Sequence, residues 1–337
     1  LQFGEPINLN ALLKEYPLSD YSSEKDWLFK VTPVLGKKIM TTINDSTVVT
    51  STALFSLAIL NSDGFSISNR ELVSRIELLK SLLAEDKYSA KTLICEKTGE
   101  EIIDQMRKLG FLSKEDINDR ISLTNLEAAK LSFYRNNISH LLIFESLICG
   151  FFQYQKEIIK EDLLQSIKMI YPFLKEEFFL KWDEADLDQL INLKLNKLIN
   201  KNLILEDSNV YKRPDFKSRE FYETQSLGKL VQPSIDRFYV LISQLWKNSA
   251  EHISKNEFER NSLEILKNLE KTQARLTPEF SEKWMFDVFL NRLIENKYVR
   301  EDDKGMLYPT RITQRLEKDA NKFLEPNWLK ELSKSTT

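Results

Sequence analysis

The sequence is short of the residues that break helices. Its 337 residues contain only 8 glycines and 9 prolines, which excludes a turn-rich all-β fold and favours long helices. It has two cysteines, Cys95 and Cys149. They are far apart and match no metal spacing, so they read as thiols in a reducing compartment. There are two histidines and no glycine-rich phosphate loop. No basic excess exists: the net charge is −3 and the pI about 5.8, whereas a nucleic-acid-binding domain carries a basic footprint. Long apolar runs are missing too. Val48–Leu60 and Leu141–Phe152 are interrupted by Ser, Thr or Glu145. Both fall short of the ~20 residues a spanning helix needs and read as buried core helices; a lipid-facing role stays open for Leu141–Phe152.

With 42% hydrophobic and 29% charged residues, the chain is globular and long enough for two or three domains. It begins Leu1-Gln2-Phe3, with no initiator Met and no signal peptide. Leu1–Ile7 reads as the end of a strand followed by a turn at Gly4-Glu5-Pro6. Such a strand has no partner in this sequence, so the expectation is a fragment of a longer sheet-containing protein. Asn10–Tyr16 reads as a short helix stopped by Pro17. Thr32 is expected to cap a helix that Pro33 starts, with Leu35, Ile39 and Ile43 as its apolar face.

From about residue 50 an internal repeat appears. Each unit reads as an apolar helix, an isoleucine starting a second helix, a third helix and two short strands. The isoleucines are Ile67, Ile159 and Ile253, and the third helices end at Gly110, Asn202 and Lys297. Ser68…Glu71, Thr98…Glu101 and Ser254…Glu257 are capping boxes. The expected strand pairs are Phe111-Leu112 with Ile121–Leu123, Leu203–Leu205 with Val210-Tyr211, and Tyr298-Val299 with Met306–Tyr308. Three helices and a hairpin are the order of a winged helix. A groove-reading third helix presents basic or amide side chains near its start. Here the starts are Glu100-Glu101, Asp183-Glu184-Asp186 and Glu282-Lys283, where carboxylates would meet phosphate and be repelled. Winged helices used as packing modules are therefore expected, without nucleic acid.

Tyr134-Arg135-Asn136-Asn137-Ile138-Ser139-His140 is the most distinctive stretch. Thr124…Glu127 is a capping box opening its helix, which is expected to run on into Leu141–Phe152. Ser132, Arg135, Asn136, Ser139 and His140 fall at three- and four-residue steps on an otherwise apolar helix. An arginine, an amide and an imidazole set among apolar side chains suit an anion. The alternatives are an interior polar network, with Arg135 paired to Glu127 or Glu145, or a solvated face. His140…Glu145 and His252…Glu257 are not expected to act as catalytic pairs, because helical residues five apart point about 140° away from each other.

Four blocks together resemble the C-terminal portion of the PlsB-type bacterial glycerol-3-phosphate acyltransferases. They are Phe3-Gly4-Glu5-Pro6-Ile7, Leu28–Asn44 with Thr32-Pro33, Tyr134–His140, and Tyr171-Pro172 with Phe179-Leu180-Lys181-Trp182-Asp183. The likeness runs from the first residues to about residue 200 and weakens beyond.

It implies acyl transfer from acyl-CoA or acyl-ACP to the sn-1 hydroxyl of glycerol 3-phosphate, the first step of phospholipid synthesis. No other cofactor and no metal are implied. The setting is peripheral, on the cytoplasmic face of the bacterial inner membrane. The catalytic His-x-x-x-x-Asp block and the glycerol 3-phosphate-binding blocks of the family precede the Phe-Gly-Glu-Pro segment. No catalytic residue is therefore expected in this chain, which alone should be inactive. Arg135 and Asn136, with His140 behind them, are the candidates for substrate phosphate. Gly4, Glu5, Pro6, Tyr134, Asn137, Trp182 and Asp183 are structural motif positions. The expected fold is mainly α: residues 1–48 end an acyltransferase domain, and winged-helix-like repeats occupy 49–136, 137–230 and 231–337, the last with a C-terminal helix. The competing reading is a non-enzymatic tandem winged-helix scaffold that binds another protein.

Overall fold

A computed structural model of the chain describes residues 2–112, 119–247, 253–272, 283–314 and 316. His252, Glu282 and the tail residues Phe323, Trp328 and Leu329 lie outside them. The described chain is mainly helical, with small separate sheets.

Residues 2–7 are irregular rather than a strand. Instead of a ladder they carry isolated ties, with Gln2 Nε2 donating to Lys91 O at 2.7 Å and Glu5 paired with Lys91. Helix α1 (Leu9–Glu15) is capped by Asn8 and ends before Pro17. Helix α2 (Glu24–Asp45) is capped by Ser23 and runs straight through Pro33. The helix expected to begin at Pro33 therefore begins nine residues earlier. Pro33 costs it one backbone hydrogen bond, and the favourable Ser23 start, with Glu24 and Asp26 in the first turn, lies upstream. Ile39 and Ile43, read as a core-facing stripe, are 41% and 55% exposed.

Three groups of elements follow. In the first, β1 (Val48–Val49) leads into α3 (Ser51–Leu60), which is buried at eight of the nine positions after Ser51 and caps on Thr50. Then come β2 (Ser66–Ser68), α4 (Asn69–Glu85), β3 (Leu93–Ile94), α5 (Gly99–Lys108) and β4 (Arg120–Ser122). Helix α6 (Asn125–Ser139) ends at a short 3-10 turn, His140–Leu142, before α7 (Ile143–Phe151). The single helix expected through His140 is thus two, broken where Leu142 adopts φ −120° and ψ 12°.

The second group continues with β5 (Glu157–Ile159), α8 (Lys160–Glu177), α9 (Leu187–Asn200), β6 (Leu205–Asp207), β7 (Val210–Lys212) and α10 (Arg219–Gly228). The third has α11 (Gln232–Lys247), β8 (Ile253–Ser254), α12 (Lys255–Thr272), α13 (Lys283–Glu295), β9 (Val299–Glu301) and β10 (Met306–Pro309).

Each group contains an antiparallel sheet. β2 pairs with β4, β5 with β7 and β7 with β6, and β8 with β10 and β10 with β9. The first strand of each sheet, immediately before a helix, was read from the sequence as helix start. Its register corrects the repeat. Ile67 faces Ile121, Ile158 faces Tyr211 and Ile253 faces Leu307. These six side chains are at most 7% exposed, whereas Ile159 is 47% exposed. Because strand side chains alternate between faces, the equivalent of Ile67 and Ile253 is Ile158. The expected pairing of Phe111-Leu112 with Ile121–Leu123 is replaced by the β2–β4 pair. The third-helix end points agree in conformation: Gly110, Asn202 and Lys297 all have positive φ, at 76°, 56° and 60°. Separate from these sheets, β1 and β3 form a two-stranded parallel pair.

One continuous apolar core runs through the chain. α3 and α7 sit deep within it. α10 and α7 approach so closely that a Cβ on Gly228 would stand 2.9 Å from Gly150 N and 3.0 Å from Cys149 C. Glycine is required there because backbone meets backbone.

Candidate functional site

Thr124 opens α6 with a complete capping box: Glu127 N donates to Thr124 Oγ1, and Thr124 N donates to Glu127 Oε2. Ala128, Leu131 and Ile138 anchor the helix in the core. The polar stripe divides between outside and inside. Arg135 is half-buried and Asn136 exposed. The guanidinium forks onto its neighbour, with Nε and Nη2 donating to Asn136 Oδ1 at 3.1 and 2.9 Å. Two of the five guanidinium donors are thereby fixed in one plane. Ser132 and Ser139 are buried, and their hydroxyls donate back to the carbonyls of Ala129 and Arg135. That satisfies them within the helix. Tyr134 rests edge-on against Phe111, ring centroids 5.8 Å apart, and Asn137 is exposed.

His140 turns inward and is 4% exposed. Its Nε2 lies 3.3 Å from Thr47 Oγ1 and 3.4 Å from Asn44 O, and its ring stands perpendicular to Tyr88 at 5.0 Å. Burial lowers its pKa to about 4, from an ordinary 6.5, so the ring is neutral at physiological pH. The structure therefore brings Arg135 and Asn136 together, while His140 turns into the seam between α2 and α6.

The two carboxylates considered for Arg135 have other work. Glu127 closes the cap. Glu145, fully enclosed on α7, ion-pairs with Lys194 at 3.2 Å and with Lys197. Both lysines are 4% exposed. Lys194 also pairs with Asp86, and Lys197 donates to Leu82 O at 3.1 Å. Burial by itself would lower the pKa of Lys194, but Glu145 and Asp86 outweigh it and raise it. This network joins α4, α7 and α9 through the interior. Sequence reading missed it, although a signal was present: Lys194 recurs with Leu187, Leu190, Ile191 and Leu198 on the apolar stripe of α9.

Trp182 packs edge-on against Tyr88 and Phe144, and Tyr171 donates to its carbonyl at 2.7 Å. Asp183 then caps the following turn, so this block is a core aromatic followed by a cap. Gly4 approaches α2, where a Cβ would fall 2.6 Å from Thr42 Cγ2. Among the described residues no three His, Cys, Asp or Glu side chains are grouped to hold a metal ion. No described helix is long and apolar enough to cross a membrane. A cleft of about 210 Å³ between α4 and α10 is lined by Glu71, Ser74, Arg75, Arg219, Tyr222 and Glu223. Its arginines and carboxylates already pair with each other.

Comparison with known proteins places this geometry in context. The family model described as the glycerol-3-phosphate acyltransferase C-terminal region matches residues 1–302. The chain is similar to a glycerol-3-phosphate acyltransferase of Pseudomonas fluorescens (strain Pf0-1), 27% identical over 334 residues, covering 97% of this chain and 40% of the relative. It is similar also to one from Xanthomonas campestris pv. campestris, 29% identical over 320 residues, covering 91% and 36%. The chain thus spans about two fifths of the length of the curated relatives it matches.

Proposed function

The chain belongs to the family of glycerol-3-phosphate acyltransferase C-terminal regions, and on that premise we propose that it serves as that portion of a glycerol-3-phosphate 1-O-acyltransferase. In the reaction, the sn-1 hydroxyl of glycerol 3-phosphate attacks the thioester carbonyl of acyl-CoA or acyl-ACP. The hydroxyl gives up its proton to a base, the carbon–sulfur bond breaks, and the thiol leaves. His140 is enclosed and faces Asn44 and Thr47, which supports the reading that the base comes from the portion of the enzyme ahead of the matched region. The role of this chain is to support the catalytic domain and to form part of the substrate cleft. The product is a membrane lipid precursor, which favours a peripheral position on the cytoplasmic face of the bacterial inner membrane.

Residues 49–136, 137–230 and 231–337 act as three winged-helix-like packing modules behind the catalytic domain. Three antiparallel sheets entered by equivalent strands support this reading, as do three left-handed residues ending equivalent helices.

The observation that carries the site assignment is the fixed Arg135–Asn136 fork on α6. A guanidinium recognises phosphate with bidentate geometry, and both substrates carry phosphate. The test is Arg135→Ala in the intact enzyme, with thermal stability and KM for each substrate measured together. A KM raised about tenfold or more for one substrate at unchanged melting temperature places Arg135 in that substrate's site. Lost stability with unchanged kinetics per folded molecule would make the stripe a structural network and end the assignment.

A further inference from the structure

Helix α2 carries an apolar face that no described residue covers. At 100° per residue, Leu28, Ile39, Thr32, Ile43, Gly36 and Phe29 fall within a single sector about 100° wide, which the exposed Lys25 enters at the first turn of the helix. Leu28 is 49% exposed, Phe29 80%, Ile39 41% and Ile43 55%. Gly36 lies in that sector, and a Cβ built there meets nothing within 4 Å, so the face has a notch. The opposite side of α2 is packed inward: Val31 is buried, Asn44 Nδ2 donates to Phe178 O at 2.8 Å, and Lys37 pairs with Glu176 at 2.7 Å.

Two neighbouring features extend the face. Phe3, 80% exposed, precedes Gly4, which lies against Thr42 and Ser46 at the C-terminal end of α2. Just after α2, the isolated β1–β3 pair leaves Val48 39% and Leu93 52% exposed. Parallel strands are almost always covered on both faces. Of the 19 large apolar side chains exposed among the described residues, 7 belong to the first 43 residues, so the exposure is concentrated at one end of the chain.

We propose that this face docks the folded portion that the longer relatives carry ahead of the matched region, whether in the same polypeptide or in a second one. The relatives match over only 36–40% of their length, and the matched family is their C-terminal region. The larger part of each therefore precedes the matched region, adjoining the end of the chain where the apolar exposure is concentrated. A notch flanked by Ile39, Ile43 and Phe29 accepts a protruding side chain, as helix packing requires. A lipid surface is the weaker occupant. An interfacial helix keeps one continuous charged face in water, whereas Lys37 and Asn44 of α2 are engaged with Glu176 and the carbonyl of Phe178 and its exposed lysines, Lys25, Lys30 and Lys38, are scattered around the helix. The identity of the occupant rests on the proposed function; the existence of a docking face does not.

The test titrates the purified chain with the separately produced N-terminal portion of the Pseudomonas fluorescens relative, reading affinity by calorimetry. Phe29→Asp with Ile43→Asp, and separately Gly36→Leu, are compared with the native chain. Thermal melts serve as the folding control for these solvent-facing positions. The expected result is binding by the native chain, weakened tenfold or more in both variants with melting temperatures held. Equal binding by the variants overturns the face while leaving the proposed function standing. No binding by the native chain overturns the occupant. Self-association or flotation on phosphatidylglycerol vesicles, lost in the same variants, would then assign the face to a second copy or to lipid.

Discussion

Replacing Glu145 by glutamine keeps the volume of the side chain and removes the charge that faces two buried lysines. Lys194 retains Asp86, but Lys197 is left with the carbonyl of Leu82. Breaking a buried pair by deleting one partner costs about 3–5 kcal/mol, because the other charge is stranded in a poorly solvated place. A second route to the same magnitude sets a ceiling. A stranded ammonium can shed its proton. At pH 7 that costs about 1.4 kcal/mol for each unit below an ordinary lysine value of about 10.4, or roughly 4.6 kcal/mol. The loss then depends on pH with a definite sign. In the variant the folded state binds fewer protons than the unfolded state, so stability rises with pH. Between pH 7 and pH 9 the deficit of Glu145→Gln should shrink by up to about 1.4 kcal/mol per unit. Urea unfolding of the purified native and variant chains at both pH values measures this. A deficit below about 1 kcal/mol, independent of pH, would show that α4, α7 and α9 are held by their apolar contacts alone and refute the reasoning.

Other outcomes follow from the same packing. Gly228→Ala should destabilise the chain by about 1–3 kcal/mol through overpacking against backbone that cannot rotate away. Gly150→Ala, whose Cβ would meet nothing nearer than Val231 Cγ1 at 3.5 Å, should be neutral or gain up to about 1 kcal/mol; equal effects in thermal melts would contradict the close α7–α10 approach. His140, held neutral with a pKa lowered to about 4 by burial, destabilises the fold in acid. The unfolded chain takes up a proton below about 6.5 that the folded chain refuses. Its contribution, up to about 3 kcal/mol between pH 6.5 and pH 4, is absent from His140→Gln, so the difference between the native and variant stability curves should change by that amount across this window; parallel curves would place the ring in water.

The local signals in the sequence were dependable where a side chain speaks to its own backbone. Thr98–Glu101 and Thr124–Glu127 form complete capping boxes, and Ser68 and Ser254 cap the helices expected of them. The helix ends at Gly110, Asn202 and Lys297 were also legible, since their left-handed backbone is set locally. What escaped depends on distant partners. The strands β2, β5 and β8 are two or three residues long and exist only because β4, β7 and β10 arrive much later in the chain, so a dyad period over so few residues was taken for helix. Pro33 was given too much weight, because the cap at Ser23 and inward packing of α2 outweigh one missing hydrogen bond. At the site, adjacency in sequence brought Arg135 and Asn136 together. The inward turn of His140 depends on the break at Leu142 and on Asn44 and Tyr88, none of which its neighbours announce. The Glu145 network was hidden for the same reason: its lysines lie about fifty residues away.

Glu176 receives both Lys37 and Arg292. Its clasp therefore spans most of the order in which a ribosome makes the chain. Lys37 emerges first, Glu176 much later, and Arg292 later still. At roughly 5–20 residues per second, about ten to fifty seconds pass between the first and the last of them. Throughout that time α2 is out of the tunnel with its seat unfinished and both of its faces open. The nascent chain thus presents Leu28, Phe29, Ile39 and Ile43 to solvent before the fold that positions them is complete. Holding factors that recognise extended apolar segments have their longest opportunity at this helix, and a translational pause before Arg292 would prolong it.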